Sequence, residues 1–206
     1  MAHTTKQRLL DVGLAMLLEH GYNDLGIQAL LAATRTPKGS FYHHFKDKQD
    51  FALQVIDQYM RQVHAGFDVC LAEKGRPPLE RVRRFFELTQ QAYRKEGYMG
   101  CLLGGLGQEL SGVNEVFRRK IEGCFTEIAA RIAVCLEQAR KRGDIPADSN
   151  TRRMASLLVD SAGATAFVST DFPADSVEPK IIFSALVPSP RRNTAGFPFF
   201  KHNFET

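Results

Sequence analysis

The sequence lacks the features that mark membrane, secreted and zinc-binding proteins. No window approaches the ~18 consecutive apolar residues that a membrane span requires, and the N-terminus lacks the basic and then apolar run of a signal peptide. No two cysteines form a Cys-x-x-Cys pair, which argues against both a zinc site and a secreted disulfide framework; they are Cys70, Cys101, Cys124 and Cys135. We therefore expect a soluble cytoplasmic protein with no membrane partner and no bound metal.

Motifs of the common enzyme classes are also missing. The glycine-rich stretch GCLLGGLG, residues 100–107, follows no strand and matches neither the Gly-x-Gly-x-x-Gly dinucleotide pattern nor a P-loop. The chain contains no Gly-x-Ser-x-Gly elbow, no His-Glu-x-x-His motif and no paired acid and base. We predict neither catalysis nor a cofactor. A thiol-based enzyme built on Cys101 is the alternative of a different class.

No segment shows the period-two alternation of a strand, so we predict an all-α fold. The first helix begins after the cap Thr4, with Gln7 reaching back from the third position, and ends at Gly21. A short apolar helix follows over residues 27–33, and a third begins at Thr36-Pro37, with the threonine as its cap. Three short helices thus occupy the N-terminal part of the chain.

Longer helices follow, and their apolar residues recur every three or four positions. The sequence predicts them from Lys48 to about residue 74, from Pro77 to near residue 97, from Asn114 to Arg142, and over residues 153–168. The glycine-rich segment 100–112 is poorly periodic and is predicted to hold one short helix.

Positive charge is concentrated in one short stretch. The formal net charge of +4 decides little by itself. Residues 34–48 carry a single anion, Asp47, against four cations, which are Arg35, Lys38, Lys46 and Lys48. His43 and His44 add positive charge below neutral pH. This basic patch is compatible with a nucleic-acid partner.

The second and third helices are the parts of a helix-turn-helix DNA reader. Gly39 and Ser40 are small enough to bring the backbone near a phosphate, and the lysines of the patch would neutralise phosphates. Tyr42 would face the major groove, as would His43. A competing interpretation makes these exposed residues an ordinary solvated helix face. In either case Phe41 and Phe45, four residues apart, are predicted to be core.

Residues 21–51, GYNDLGIQALLAATRTPKGSFYHHFKDKQDF, resemble the DNA-binding segment of the TetR family of bacterial transcriptional regulators. The family pattern joins a Lys-Gly-[Ser/Thr]-aromatic-Tyr-x-His-Phe helix to a following lysine. It is matched by Lys38, Gly39, Ser40, Phe41, Tyr42, His44, Phe45 and Lys48. Two departures are visible: Gly26 stands where the family usually has a Ser or Thr cap, and Arg35-Thr36 replaces the usual Gly-Val turn.

The resemblance implies a homodimeric repressor that binds a palindromic double-stranded DNA operator and is released by a small-molecule inducer. It implies a helix-turn-helix DNA-binding domain over residues 1–47 and a helical ligand-sensing and dimerisation domain over residues 48–187, followed by an atypical tail, residues 188–206. The DNA contacts it implies are Gln28, Thr36, Lys38, Gly39, Ser40, Tyr42, His43, Lys46 and Lys48.

Cys101 is the candidate sensing residue. It precedes a predicted helix, and Arg94 and Lys95 lie a few residues earlier; helix dipole and cations both favour the thiolate, which attacks electrophiles. Residues 100–110 are also similar to a Gly-Cys-Leu stretch in the TetR branch that includes the N-ethylmaleimide reductase repressor, a sensor of quinones and reactive aldehydes. The alternative for Cys101 is simple packing, which we expect for Cys124 and Cys135.

A noncovalent apolar inducer is the rival hypothesis for the signal. The aromatic residues that would line its cavity are Phe85, Phe86, Tyr93, Phe117 and Phe125, although such a stripe at helical spacing is typical of plain core.

In the family the last two helices form the dimer interface. Residues 153–168 supply the first of them, with the small residues Ser161, Ala162, Gly163 and Ala164 allowing close approach. The second is weak, because only residues 176–187 favour a helix and Pro179 lies in its first turn. The tail contains three prolines and four phenylalanines without a helical period, as though a shift of reading frame had replaced the natural C-terminus. We predict a dimer formed through residues 153–168.

Overall fold

A computed structural model describes residues 4–96 and 101–168 of the chain. This part of the chain contains eight α-helices and no strand, which confirms the all-α prediction. The helices are α1 (Thr5–His20), α2 (Ile27–Thr34), α3 (Lys38–His44), α4 (Lys48–Cys70), α5 (Pro78–Glu96), α6 (Leu102–Leu110), α7 (Glu115–Lys141) and α8 (Thr151–Val168). The helix predicted over residues 176–187 and the tail lie outside the described residues.

The chain divides into two compact units. The first contains residues 1–61 and 100–122, and the second contains residues 62–99 and 123–206. Helices α1, α2, α3 and α6 therefore belong to the first unit, and α5 and α8 to the second. The boundaries predicted at residues 47 and 187 divide the chain differently and remain predictions.

The ends of α1 follow from its sequence. The Thr4 hydroxyl accepts a hydrogen bond from the Gln7 backbone N–H at 3.2 Å, and Gly21 ends the helix with φ +76°. Both features were predicted. The side-chain NH2 group of Gln7 donates to Asp11 at 2.8 Å and to Gln58 at 2.7 Å. The return contact, in which the Gln7 side-chain oxygen accepts from the cap, stays a prediction.

An aromatic cluster forms the core beneath α3. The rings of Phe41, Phe45 and Phe51 lie with centroids 4.9 to 5.4 Å apart, and each side chain is at most 1% exposed. Gly13 on α1 leaves room for the cluster, since a Cβ there would lie 2.3 Å from the Phe51 ring. The prediction that Phe41 and Phe45 are core is confirmed.

The second unit has its own core. The Phe67 ring of α4 stacks on the Phe85 ring of α5 with centroids 4.4 Å apart. The buried Arg81 guanidinium donates to the Leu71 carbonyl at 2.6 Å and to the Gln138 side chain at 2.5 Å. A cation at the end of α4 is favourable, because the carbonyls there carry the negative end of the helix dipole.

Helix α7 begins as predicted at an asparagine cap. The Asn114 side-chain oxygen accepts hydrogen bonds from the backbone N–H groups of Val116 and Phe117 at 3.0 and 3.3 Å. At the other end Gly143 has a φ of +80° and follows the last turn, as its position in the sequence predicted.

Candidate DNA-binding site

Helix α3 presents two chemically different faces. Phe41 is fully buried, and Phe45 follows the last turn into the same aromatic cluster. The remaining side faces solvent, with Tyr42 52% exposed and with Lys38, Gly39 and His43 also exposed. A short helix can hold this orientation because the two phenylalanines anchor one side of it.

The exposed face combines cations with an aromatic ring. The Lys38 ammonium lies 5.9 Å from the centroid of the Tyr42 ring, within the range of a cation–π interaction. The Tyr42 ring also packs edge-on against Phe41, with centroids 5.2 Å apart, which limits its movement. No atom of the described structure lies within 4 Å of the position that a Cβ on Gly39 would occupy. The backbone at Gly39 is therefore open to a close approach.

The turn between α2 and α3 contains the second departure from the family pattern. Arg35 takes the left-handed conformation, with φ 49° and ψ 43°, and among the described residues it is the only non-glycine with positive φ. This is the position where the family usually has glycine, the residue that adopts such a conformation without steric cost. Gly26, the first departure, is the N-cap of α2 and provides no side-chain hydrogen bond.

Thr36 is not the cap of α3 that the sequence predicts. Its side chain is buried, its hydroxyl donates to the Thr34 carbonyl at 3.3 Å, and its backbone N–H donates to the Leu31 carbonyl at 3.0 Å. The N-cap of α3 is Pro37 rather than Thr36. Thr36 thus stabilises the turn from inside, and its contact with DNA stays a prediction.

The segment after α3 is held by two carboxylates. The Asp47 side chain accepts a hydrogen bond from the Asp50 N–H at 2.8 Å, and the Asp50 side chain accepts one from the Lys46 N–H at 2.9 Å. The Lys46 hydrogen bond, followed by that from Gln54, lowers the pKa of Asp50 below its ordinary value. The Asp50 carboxylate fixes the backbone at Lys46 while the Lys46 side chain stays exposed.

Lys48 lies against the turn between α1 and α2. Its ammonium donates to the Asn23 carbonyl at 3.2 Å and lies 4.6 Å from the centroid of the Tyr22 ring. The Tyr22 ring in turn packs edge-on against Phe117, with centroids 5.0 Å apart. Burial, followed by the nearby Asp47 and Glu109 carboxylates, raises the pKa of the Tyr22 hydroxyl.

Glu109, near the end of α6, holds the same turn. Its two carboxylate oxygens accept hydrogen bonds from the backbone N–H groups of Tyr22 at 2.7 Å and Asn23 at 2.5 Å. Sequence reasoning missed Glu109, because it lies more than 80 positions from its partners and in a poorly periodic segment.

The eight remaining candidate contacts all lie in the first unit. Gln28 is exposed on α2, and Ser40 is half-buried on α3. The others are the exposed Lys38, Gly39, Tyr42, His43 and Lys46 and the half-buried Lys48. The described residues contain no group of three or more metal-ligating side chains, and none of the helices described is long and apolar enough to cross a membrane.

Cys101 is the N-cap of α6, close to its predicted position. It is half-buried, and its sulfur lies 3.4 Å from the Tyr59 hydroxyl. Cys124 and Cys135 are buried, as predicted, and so is Cys70. Burial raises the pKa of Cys135, and it raises the pKa of Cys70 to about 11. Among the four thiols Cys101 is the most accessible.

The aromatic residues proposed for an inducer cavity have different surroundings. Phe117 is fully buried in the first unit against Tyr22, and Phe85 is core in the second. Phe86 and Phe125 are half-buried in the second unit, while the side chain of Tyr93 lies outside the described part of the chain. An aromatic inducer cavity therefore remains a prediction.

Comparison with known proteins accounts for both parts of the chain. Residues 9–55 match the family of bacterial regulatory proteins of the tetR type, and residues 78–170 match the tetracyclin repressor-like C-terminal domain. The transcriptional regulator AcuR of Cereibacter sphaeroides is 34% identical over 155 residues, which cover 75% of this chain and 71% of that protein. The repressor DhaR of a Mycobacterium species is 28% identical over 92% of this chain and 96% of its own length.

Solved structures share the fold. A TetR regulatory protein from Rhodobacter sphaeroides superimposes with a TM-score of 0.72 and 29% identity, covering 87% of this chain and 94% of its own. The reduced form of Escherichia coli NemR gives a TM-score of 0.76 at 23% identity over 89% and 94% of the two chains. The relatives named here are regulators, and the helix-turn-helix has the buried and exposed faces described above. The chain belongs to the TetR family of DNA-binding transcriptional regulators.

Proposed function

We propose that the protein represses transcription by binding a palindromic operator as a homodimer, and that a small molecule releases it. The two-faced α3 carries this proposal. The helix is anchored by Phe41 while its other side offers cations, an exposed tyrosine and an open glycine backbone to the major groove.

Each proposed contact has a role set by its chemistry. Lys38, Lys46 and Lys48 neutralise phosphates, and each contributes about 0.9 to the slope of log affinity against log salt. Tyr42 and His43 meet the groove, and Gln28 adds a polar contact from α2. Gly39 and Ser40 let the backbone approach a phosphate. Two half-sites about 34–36 Å apart, or slightly further, would match the two recognition helices of a dimer.

The proposed dimer forms through α8. The sequence of this helix contains the small residues Ser161, Ala162, Gly163 and Ala164, which would allow the same helix of a partner to approach closely. Sedimentation at micromolar concentration tests the assembly. A monomer under these conditions contradicts the dimer, and it predicts weaker operator binding because the second half-site is lost.

For the signal we propose modification of Cys101 by an electrophile. The thiol is accessible, caps a helix, and lies within hydrogen-bond distance of a tyrosine hydroxyl. A quinone would add at sulfur, forming a carbon–sulfur bond while the thiol proton passes to the reduced ring, so that no further reactant is needed. The rival is a noncovalent inducer among the aromatic residues of the helical domain.

A quinone titration of the DNA complex separates these signals. Wild-type protein should leave the DNA when one equivalent of quinone has bound per Cys101 thiol, and the Cys101→Ser variant should stay on the DNA. If Cys101→Ser is released at the same quinone concentration, the thiol mechanism fails and the noncovalent inducer is favoured. Repeated turnover with an added reductant would instead support the thiol-based enzyme.

A further inference from the structure

We propose that Glu109 is a positioning residue for DNA binding, whose carboxylate fixes the α1–α2 turn so that Lys48 is held ready for a DNA phosphate. The inference rests on the proposed phosphate contact of Lys48. It assigns a function to a residue that approaches the DNA reader from a distant part of the sequence.

The first step is the pair of hydrogen bonds that holds the α1–α2 turn to Glu109. One carboxylate accepts two successive backbone N–H groups, those of Tyr22 and Asn23, and such charge-assisted bonds are about twice as strong as neutral ones. Gly21 leaves the space for this approach. A Cβ at that position would lie 2.8 Å from the Glu109 Oε2 atom.

The second step links the turn to Lys48. The Lys48 ammonium donates a hydrogen bond to the Asn23 carbonyl and lies over the Tyr22 ring. The backbone N–H groups of these same two residues, Tyr22 and Asn23, donate to the Glu109 carboxylate. An ammonium has three N–H donors, so two stay available for a phosphate. A lysine ordered in advance loses less side-chain entropy when it binds.

Simple electrostatics and positioning predict opposite effects of removing this carboxylate. DNA is a polyanion, so neutralising any glutamate of the first unit should strengthen binding slightly. Loss of a positioning residue should weaken binding, because Lys48 is then free to move. The sign of the change therefore discriminates between the two explanations.

The experiment uses a fluorescein-labelled duplex selected by the wild-type protein from a random-sequence library. Binding is measured by anisotropy between about 50 and 200 mM salt for wild type, Glu109→Gln, Lys48→Met and the double variant. Glu115→Gln is the matched control: it removes the same charge from the first unit, but its carboxylate pairs with Arg118 and Arg119 on its own helix. Glu109→Asp keeps the charge and shortens the side chain, and it replaces Glu109→Gln if that variant does not fold.

We expect Lys48→Met to weaken binding and to reduce the salt slope by about 0.9. Glu109→Gln should weaken binding several-fold in the wild-type background and have little effect in the Lys48→Met background, whereas Glu115→Gln should not weaken it. Equal weakening by Glu109→Gln in both backgrounds, or tighter binding like that of Glu115→Gln, overturns the inference and leaves the DNA contact intact. If Lys48→Met changes neither affinity nor slope, the proposed contact itself fails, and the inference fails with it.

Discussion

The Tyr59 hydroxyl lies 3.4 Å from the sulfur of Cys101, so a residue of α4 contacts the thiol that caps α6. Both residues belong to the first unit, which also contains the helix-turn-helix. The same nine-residue helix carries Cys101 before its first turn and Glu109 in its last. The candidate sensor and the contact to the α1–α2 turn therefore lie at opposite ends of one short element.

The four cysteines should differ sharply in reactivity. With a disulfide reagent at neutral pH, the folded protein should show one fast thiol, Cys101. The three buried thiols should react only on unfolding, because burial blocks access to them and also disfavours the thiolates of Cys70 and Cys135 by raising their pKa. Counting released chromophore with and without denaturant checks this. A fast phase that survives in Cys101→Ser would show that another thiol is the accessible one.

Replacing Arg35 with glycine should stabilise the protein. The left-handed conformation costs a residue with a Cβ about 1–2 kcal/mol, part of which the greater chain entropy of unfolded glycine offsets, so we expect a net gain of about 0.5–1 kcal/mol. Urea unfolding measures the change. Arg35→Ala is the control, since it removes the guanidinium but keeps the Cβ; a gain of equal size in this variant would assign the effect to lost charge rather than to backbone strain.

The two faces of α3 should respond differently to truncation. Phe41→Ala removes a fully buried ring and should cost about 3–5 kcal/mol of unfolding free energy. Tyr42→Ala changes a largely exposed residue and should alter stability by only about 0.5 kcal/mol, yet weaken DNA binding. Thermal unfolding and anisotropy measured on the same samples distinguish the effects. Large destabilisation by Tyr42→Ala would contradict the assignment of the faces.

Acid should weaken the cap at the start of α4. The pKa of Asp50 is lower in the folded protein than in the unfolded chain, where it is ordinarily 3.8. The ionised Asp50 carboxylate therefore adds to the free energy of unfolding above pH 3.8, and this contribution is lost as the pH falls through the folded pKa. Asp50→Asn should thus be less stable than wild type at neutral pH, with the gap closing below about pH 4. Denaturant midpoints across this range test it, with exposed Asp148→Asn as the charge control. A difference in stability between wild type and Asp50→Asn that did not change with pH would exclude the charge of the Asp50 carboxylate as its cause.

Local features of the fold were predictable from the sequence. Thr4, Gly21 and Asn114 end or begin helices through contacts with residues a few positions away, which local patterns encode. The spacing of Phe41 and Phe45 likewise placed both rings in the core, since a separation of four residues puts side chains on one side of a helix.

Contacts between distant segments were not predictable. Glu109 meets the α1–α2 turn across more than 80 residues, and no local pattern signals that pairing. A threonine directly before a proline is typical of a helix N-cap, which is why the sequence predicted this role for Thr36. The tertiary packing of the turn instead buries the Thr36 side chain. The hydrogen bond that the Gln7 side-chain amide donates to Gln58 on α4 likewise joins residues too far apart for a local pattern to predict.

The salt dependence of DNA binding tests the central claim most directly. Anisotropy on the duplex selected by the wild-type protein should show tight, salt-dependent binding, and Lys38→Met should weaken it and reduce the slope of log affinity against log salt by about 0.9. Lys74→Met, which removes an exposed lysine of the second unit, is the matched control and should keep the wild-type slope. Equal slopes and affinities for Lys38→Met and wild type would contradict the assignment of α3 as the DNA-reading helix.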